Sequence, residues 1–261
     1  MNDNPITLPA YEEFHTLFTK ALLANDPDNT LSAYCTEDIS RAFYRLTEEM
    51  LRTNAHMNIT AITDIPGILI KHYADCAMIA PMIPQNAHLC DVGCGGGFPS
   101  LPIAILRRDV RITAVDSTQK KLDYVRNTAV LLGLSNLTTK AARAEELGKN
   151  DLFRENFDFV TARAVARMNV LCEWCLPLTK PGGTFLAMKG RGGAAEHDEA
   201  KHAISVLGGK TFSVREIVLC DPFCADADED AMRRCLISVK KETSTPKQYP
   251  RANAQIAKKP L

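Results

Sequence analysis

Long apolar runs are missing from this chain: no stretch approaches the ~18 apolar residues that a membrane span requires. The first residues, Met1-Asn2-Asp3-Asn4-Pro5, show no basic region followed by an apolar core. No secretory signal is read there, and a cytoplasmic protein without a membrane partner is expected. Evenly paired cysteines are missing as well. Nine cysteines, an odd number, read as reduced thiols rather than as a disulfide framework. Cys172-x-x-Cys175 and Cys220-x-x-x-Cys224 have spacings that zinc accepts, but the first lies in a helical pattern beside Trp174 and the second in an acidic loop. No metal is expected. Net charge is also absent, because 31 basic and 31 acidic side chains cancel. The cancellation hides a polarity along the chain. Residues 221–230 carry five acids and no base, whereas residues 233–261 carry eight bases and one acid, Glu242. The basic end is a candidate nucleic-acid contact.

What is present is enough apolar material for a core. With 46% hydrophobic residues in 261, the chain can make one large domain or one domain with a small appendage. Tyr11, Phe14, Leu17, Phe18, Ala21 and Leu22 recur at helical spacing, as do Ile39, Ala42, Phe43, Leu46, Met50 and Leu51 after a candidate N-cap at Asp38. A third helix is expected to open near Asp64-Ile65-Pro66 and to run through Ile68, Ile70, Tyr73 and Met78. Residues 1–84 are thus expected to form a helical cap on a second unit, residues 85–261. There the pattern changes to strands near 87–92, 111–116, 136–142, 157–162, 183–189, 210–219 and 234–241, with helices between the first six. Such alternation implies right-handed crossovers and a parallel sheet. Strands six and seven, joined only by the acidic loop, should form an antiparallel hairpin at one side.

Chemistry in an open α/β sheet sits outside the carboxyl ends of the strands. The first strand ends in Asp91-Val92-Gly93-Cys94-Gly95-Gly96-Gly97-Phe98-Pro99, a glycine turn that brings bare backbone N–H groups against a ligand. About 20 residues on, the second strand ends in Asp116-Ser117, where a carboxylate is suited to both hydroxyls of a ribose. A dinucleotide turn wants a third glycine where this chain has Phe98, which argues against NAD or FAD. Without a pyrophosphate to cradle, Gly93-x-Gly95-x-Gly97 with an acidic second strand end better suits S-adenosylmethionine. The whole pattern resembles the class I S-adenosylmethionine-dependent methyltransferase fold, an α/β, Rossmann-like seven-stranded sheet with its last strand antiparallel.

Further strand ends supply Arg143-Ala144-Glu145, Arg163 and Lys189. Glu145 suits two roles, an acceptor for the exocyclic amine of adenine or a first-turn acid favoured by the helix macrodipole. Arg143, Arg163 and Lys189 put three cations around one ligand mouth, for which phosphate is the natural partner. The fourth strand leads to Thr161-Ala162-Arg163-Ala164, with neither the Asn/Asp-Pro-Pro-aromatic stretch used to methylate exocyclic amines nor a cysteine nucleophile for pyrimidine carbons. A ring nitrogen such as guanine N7 needs neither, since its lone pair is free and there is no proton to remove.

These residues make the chain similar to the bacterial small-subunit ribosomal RNA guanine-N7 methyltransferases, the glucose-inhibited division protein B family. Matching stretches are Asn58-Ile59-Thr60-Ala61-Ile62, Lys71-His72-Tyr73-Ala74-Asp75, the glycine turn, Val115-Asp116-Ser117, Arg143-Ala144-Glu145, Thr161-Ala162-Arg163-Ala164, Lys189-Gly190 and Tyr249-Pro250-Arg251. The resemblance implies S-adenosylmethionine bound at Gly93, Phe98, Ala144-Glu145 and Arg163, and a guanine in small-subunit ribosomal RNA, naked or in a ribosomal assembly intermediate, as acceptor; separately, a monomer is expected. Ser100 stands where the family usually has glycine, and the tail after Arg251 lacks its usual lysine, glycine and proline.

Overall fold

The computed structural model describes residues 8–261, so the start of the expected N-terminal unit lies outside the described residues. Helix α1 (Tyr11–Ala24) and helix α2 (Glu37–Asn54) turn their periodic apolar faces toward each other. The cap of α2 is Thr36, not Asp38: Thr36 is extended and its hydroxyl accepts from the Ile39 N–H, leaving Asp38 to act on the helix dipole from the first turn. Asp64 caps α3 (Ile65–Ile68) by accepting from the Gly67 N–H at 2.7 Å. The expected single helix then widens into a π-helical stretch, Leu69–Ala74, before α4 (Asp75–Ala77). Such local widenings are frequent at functional sites, and this one carries His72 and leads into Asp75.

Seven strands follow: β1 (His88–Val92), β2 (Arg111–Asp116), β3 (Leu137–Ala141), β4 (Phe157–Arg163), β5 (Thr179–Lys189), β6 (Gly209–Val218) and β7 (Arg233–Lys241). They lie in the order β3-β2-β1-β4-β5-β7-β6, and β7 alone runs antiparallel to its neighbours β5 and β6. The sheet and its last hairpin are as the sequence pattern implies, except that β5 starts at Thr179 and the acidic loop holds a short helix, α10 (Glu229–Met232). Helix α5 (Ser100–Leu106) leads from β1 to β2 and α6 (Gln119–Leu131) from β2 to β3. Gly133, at φ +63, closes α6: its N–H donates to Val130 O and that of Leu134 to Ala129 O. Helices α7 (Ala144–Leu147), α8 (Met168–Cys175) and α9 (Gly193–Val206) follow β3, β4 and β5.

Alternation along the strands divides the core into two faces. Leu89, Ile112, Phe159 and Leu186 face the layer that holds α1, α2, α5 and α6, where Phe43 packs between Phe18 and Tyr73 at ring separations of 4.9 and 4.6 Å. Cys90, Val115, Val160 and Phe185 face the layer of α7, α8 and α9. The strand order reverses direction between β1 and β4, which makes the crevice outside their carboxyl ends the expected ligand position.

Candidate active site

The glycine turn is tied to the end of β2. The N–H groups of Gly93 and Cys94 donate to Val115 O at 2.8 and 2.9 Å, and Gly95 N–H donates to Asp116 Oδ2 at 3.0 Å. Asp116 Oδ1 accepts from Thr118 N–H at 2.8 Å. Each carboxylate oxygen keeps a lone pair for a ligand. Gly95 sits at φ +54 with no neighbour closer than 4.0 Å to where a Cβ would stand, so its bare face opens on free space. A Cβ there would be strained and would fill a ligand cradle. Gly96, by contrast, is covered by Ile59, whose loop is fixed by Asn54 Oδ1 accepting from Ile59 and Thr60 N–H groups.

A cavity of about 160 Å³ opens beside this turn, lined by Gly93, Asp116, Ser117, Arg143, Ala144 and Glu145. Its far wall is Trp174 of α8 and Asn253 of a C-terminal helix, α11 (Asn253–Lys258). Beneath the turn lies Asp91, fully buried. Its Oδ2 accepts from Ser100 N–H at 3.2 Å and Ser100 Oγ–H at 2.5 Å, while Oδ1 has no partner among the described residues. Burial pushes this carboxyl up to about 6, against the two Ser100 hydrogen bonds and nearby Arg163, which lower it. Ser100, the departure from the usual glycine, is therefore the residue that holds Asp91.

Ala164 follows β4 at φ +55, a conformation rare for a residue with a Cβ and costing about 1–3 kcal/mol. It separates two orientations: Val165 turns toward Gly93 and the first cavity, and Arg163 toward a second cavity of about 290 Å³. Arg163 does not pair with Asp91. Its Nη1 donates to Lys71 O at 3.0 Å and Asp75 Oδ2 at 2.9 Å, and its Nη2 to His72 Nδ1 at 3.0 Å. Because a guanidinium only donates, His72 Nδ1 is the acceptor and its Nε2–H donates to Thr60 Oγ1 at 2.8 Å. Burial, with Arg163 and Arg234 adding to it, pushes His72 down to about 3, so the ring is neutral at physiological pH. It stacks on Phe98 at 4.3 Å. Asp75 Oδ1 accepts from Arg234 Nε at 3.1 Å, so one buried carboxylate bridges two arginines.

The sequence-derived candidates therefore divide. Gly93, Asp116, Ser117, Arg143, Ala144 and Glu145 meet at the first cavity, with Gly95 in the same turn. The Cα of Gly97 faces Leu101 and Val125, and Phe98 lies buried under Arg163 and His72. Arg163 and Lys189 line the second cavity. Lys189 is committed to structure: its ammonium donates to Ala166 O at 2.7 Å and pairs with Glu196 at 2.8 Å, and Glu196 also accepts from Met168 N–H. That arrangement pins the loop after β4. Of the three expected cations Arg143 is the exposed one. Asp91, His72, Asp75, Arg234, Trp174 and Asn253 carried no assigned role in the sequence; the Lys71–Asp75 stretch matched the family, and Trp174 and Asn253 gave no local signal.

The tail is tied down too. Arg251 donates from its backbone N–H and Nε to Glu173 Oε1, both at 2.8 Å, and from Nη2 to Oε2 at 2.6 Å, with Glu173 fully buried. Lys247, Lys258 and Lys259 remain exposed.

Comparison with known proteins shows what the chain is similar to. Residues 39–221 match the family model described as rRNA small subunit methyltransferase G. The chain is 44% identical over 218 residues to the ribosomal RNA small subunit methyltransferase G of Lactobacillus delbrueckii subsp. bulgaricus, covering 82% of this chain and 88% of that one. It is 42% identical over 227 residues to the enzyme of the same name from Oceanobacillus iheyensis, covering 86% and 92%. Among solved structures, a SAM-dependent O-methyltransferase from Thermotoga maritima superposes with a TM-score of 0.50 over 74% of this chain and 72% of that one at 15% identity, a likeness of fold.

Proposed function

The chain belongs to the rRNA small subunit methyltransferase G family, and from that premise we propose that it transfers a methyl group from S-adenosylmethionine to N7 of a guanine in small-subunit (16S) ribosomal RNA. One observation carries the reading: at the switch point the consecutive residues Ala164 and Val165 line different cavities, Val165 the one formed with Asp116, Ala144 and Glu145, and Ala164 the one formed with Lys71, Arg163 and Arg234.

In the first cavity Asp116 accepts the ribose hydroxyls, Glu145 the adenine amine, and the open face of Gly95 leaves room for the ligand's backbone approach. The unpartnered Oδ1 of Asp91 is suited to the ammonium of the methionine arm. Bound there, S-adenosylmethionine supplies an electrophilic methyl group. In the second cavity no free base faces the ligand among the described lining residues: both oxygens of Asp75 accept from arginines, and both nitrogens of neutral His72 are engaged. An acceptor without a proton to lose needs alignment and a suitable field, which supports a ring nitrogen. Arg163 uses three of its five N–H groups within the chain, leaving two for guanine O6 or a phosphate. Arg143 on one side and Lys247, Lys258 and Lys259 on the tail are suited to the RNA backbone.

The test is methyl transfer from isotopically labelled S-adenosylmethionine to 16S RNA and to small-subunit particles lacking the modification, followed by mass mapping. Label on N7 of one guanine is expected. Incorporation at another atom, or none into either substrate, refutes the proposal.

A further inference from the structure

The far wall of the nucleoside cavity has an unassigned feature. Trp174 lines that cavity, and its indole N–H is buried with no acceptor among the described residues. A buried donor is nearly always paired, so an orphan donor on a residue that lines a ligand cavity points to an acceptor carried by the ligand. The residue before Trp174, Glu173, takes four hydrogen bonds from Arg251, and this fastens α11 and its Asn253 against α8 beside the cavity. Trp174 also packs, together with Tyr249 and Leu261 of the tail, against the core of this sheet face.

We propose that Trp174 is an adenine-recognition residue: its indole N–H donates to a ring nitrogen of the adenine of S-adenosylmethionine, on a wall that the folded-back tail completes with Asn253. The inference rests on S-adenosylmethionine as the ligand of this cavity. Adenine has ring nitrogens with in-plane lone pairs besides its exocyclic amine, so Glu145 as acceptor and Trp174 as donor recognise complementary parts of one base. A nucleoside lacking that acceptor would leave the indole unpaired and be discriminated against.

Trp174 is the only tryptophan of the chain, so its emission reports on this wall alone. Full-length protein titrated with S-adenosylhomocysteine should show a saturable emission change whose midpoint matches the Kd from calorimetry. Trp174→Phe, which keeps an aromatic ring but removes the donor, should bind about five- to tenfold more weakly with an unchanged melting temperature. In a series of deaza-adenine analogues, one should lose that same factor against the wild type and lose nothing further against the variant. Unchanged emission at calorimetric saturation overturns the proposal, as does a Trp174→Phe protein of wild-type affinity. Should Trp174→Phe fail to fold, the wild-type titration decides. If calorimetry detects no binding of S-adenosylhomocysteine, the cofactor reading fails with it, whereas binding with a silent tryptophan removes only the adenine contact.

Discussion

Asp91→Asn should make the ligand-free protein more stable while weakening cofactor binding. Burial lifts the Asp91 carboxyl from 3.8 to about 6 in the fold. Between those values the folded chain binds more protons than the unfolded chain, so this group's contribution to stability falls as pH rises through the window. The whole penalty, about 3 kcal/mol at 1.36 kcal/mol per unit, is present at pH 7. Asparagine removes the charge and can still accept from Ser100. At about 2–4 °C per kcal/mol for a chain of this size, the melting temperature should rise by up to about 6–12 °C, less whatever the new amide loses by finding no acceptor for its own N–H groups. Affinity should move the other way. A charge-assisted hydrogen bond from the cofactor's ammonium to Oδ1 is worth about 1.5–3 kcal/mol, so the variant should bind about 10- to 150-fold more weakly. Calorimetry with S-adenosylhomocysteine across pH adds a second readout. Wild-type affinity should be flat above about pH 7 and fall by up to tenfold per unit below about pH 6 as Asp91 takes up its proton, while the variant stays flat. A variant that binds like the wild type, or a ligand-free variant that is less stable, refutes the assignment.

Asp116→Ala should weaken cofactor binding at least tenfold, since it removes the ribose acceptor and frees the N–H groups of Gly95 and Thr118 that order the turn; unchanged affinity by calorimetry would remove Asp116 from the site. Arg163→Lys should lose most of the turnover and about 1–3 kcal/mol of stability, because a point charge cannot bridge Lys71 O, Asp75 and His72 together. With chemistry rate-limiting, the wild-type rate should be nearly flat from about pH 6.5 to 8.5, and a tenfold rise per unit there would mean a deprotonation step and an acceptor other than N7. Neutralising Lys247, Lys258 and Lys259 should lower the salt dependence of RNA binding by about 0.7–0.9 log units per lost contact with cofactor affinity unchanged, and equal salt slopes would show a merely solvated tail. Arg251 is left out of that set because it is spent on Glu173.

Where interactions are local in sequence, the chain alone determined the outcome. The strand periodicities apart from the early start of β5, the glycine turn, the acid ending β2 and the proline and Asp64 that open α3 each act within a few residues, and each is found where the pattern places it. The antiparallel last strand was legible for the same reason: no helix long enough for a crossover separates β6 from β7. Tertiary structure decided which charges are free. Arg143, Arg163 and Lys189 look alike as strand-end cations, yet one is exposed, one is fixed by Asp75 88 residues away, and one is neutralised by Glu196 on the following helix. Arg251 read as part of a basic tail until Glu173, 78 residues distant, claimed it and brought Asn253 to the wall of the first cavity. A side chain's type is written in the sequence, but its partner is set by which surfaces the fold presses together, and a buried carboxylate takes whichever arginine the packing delivers.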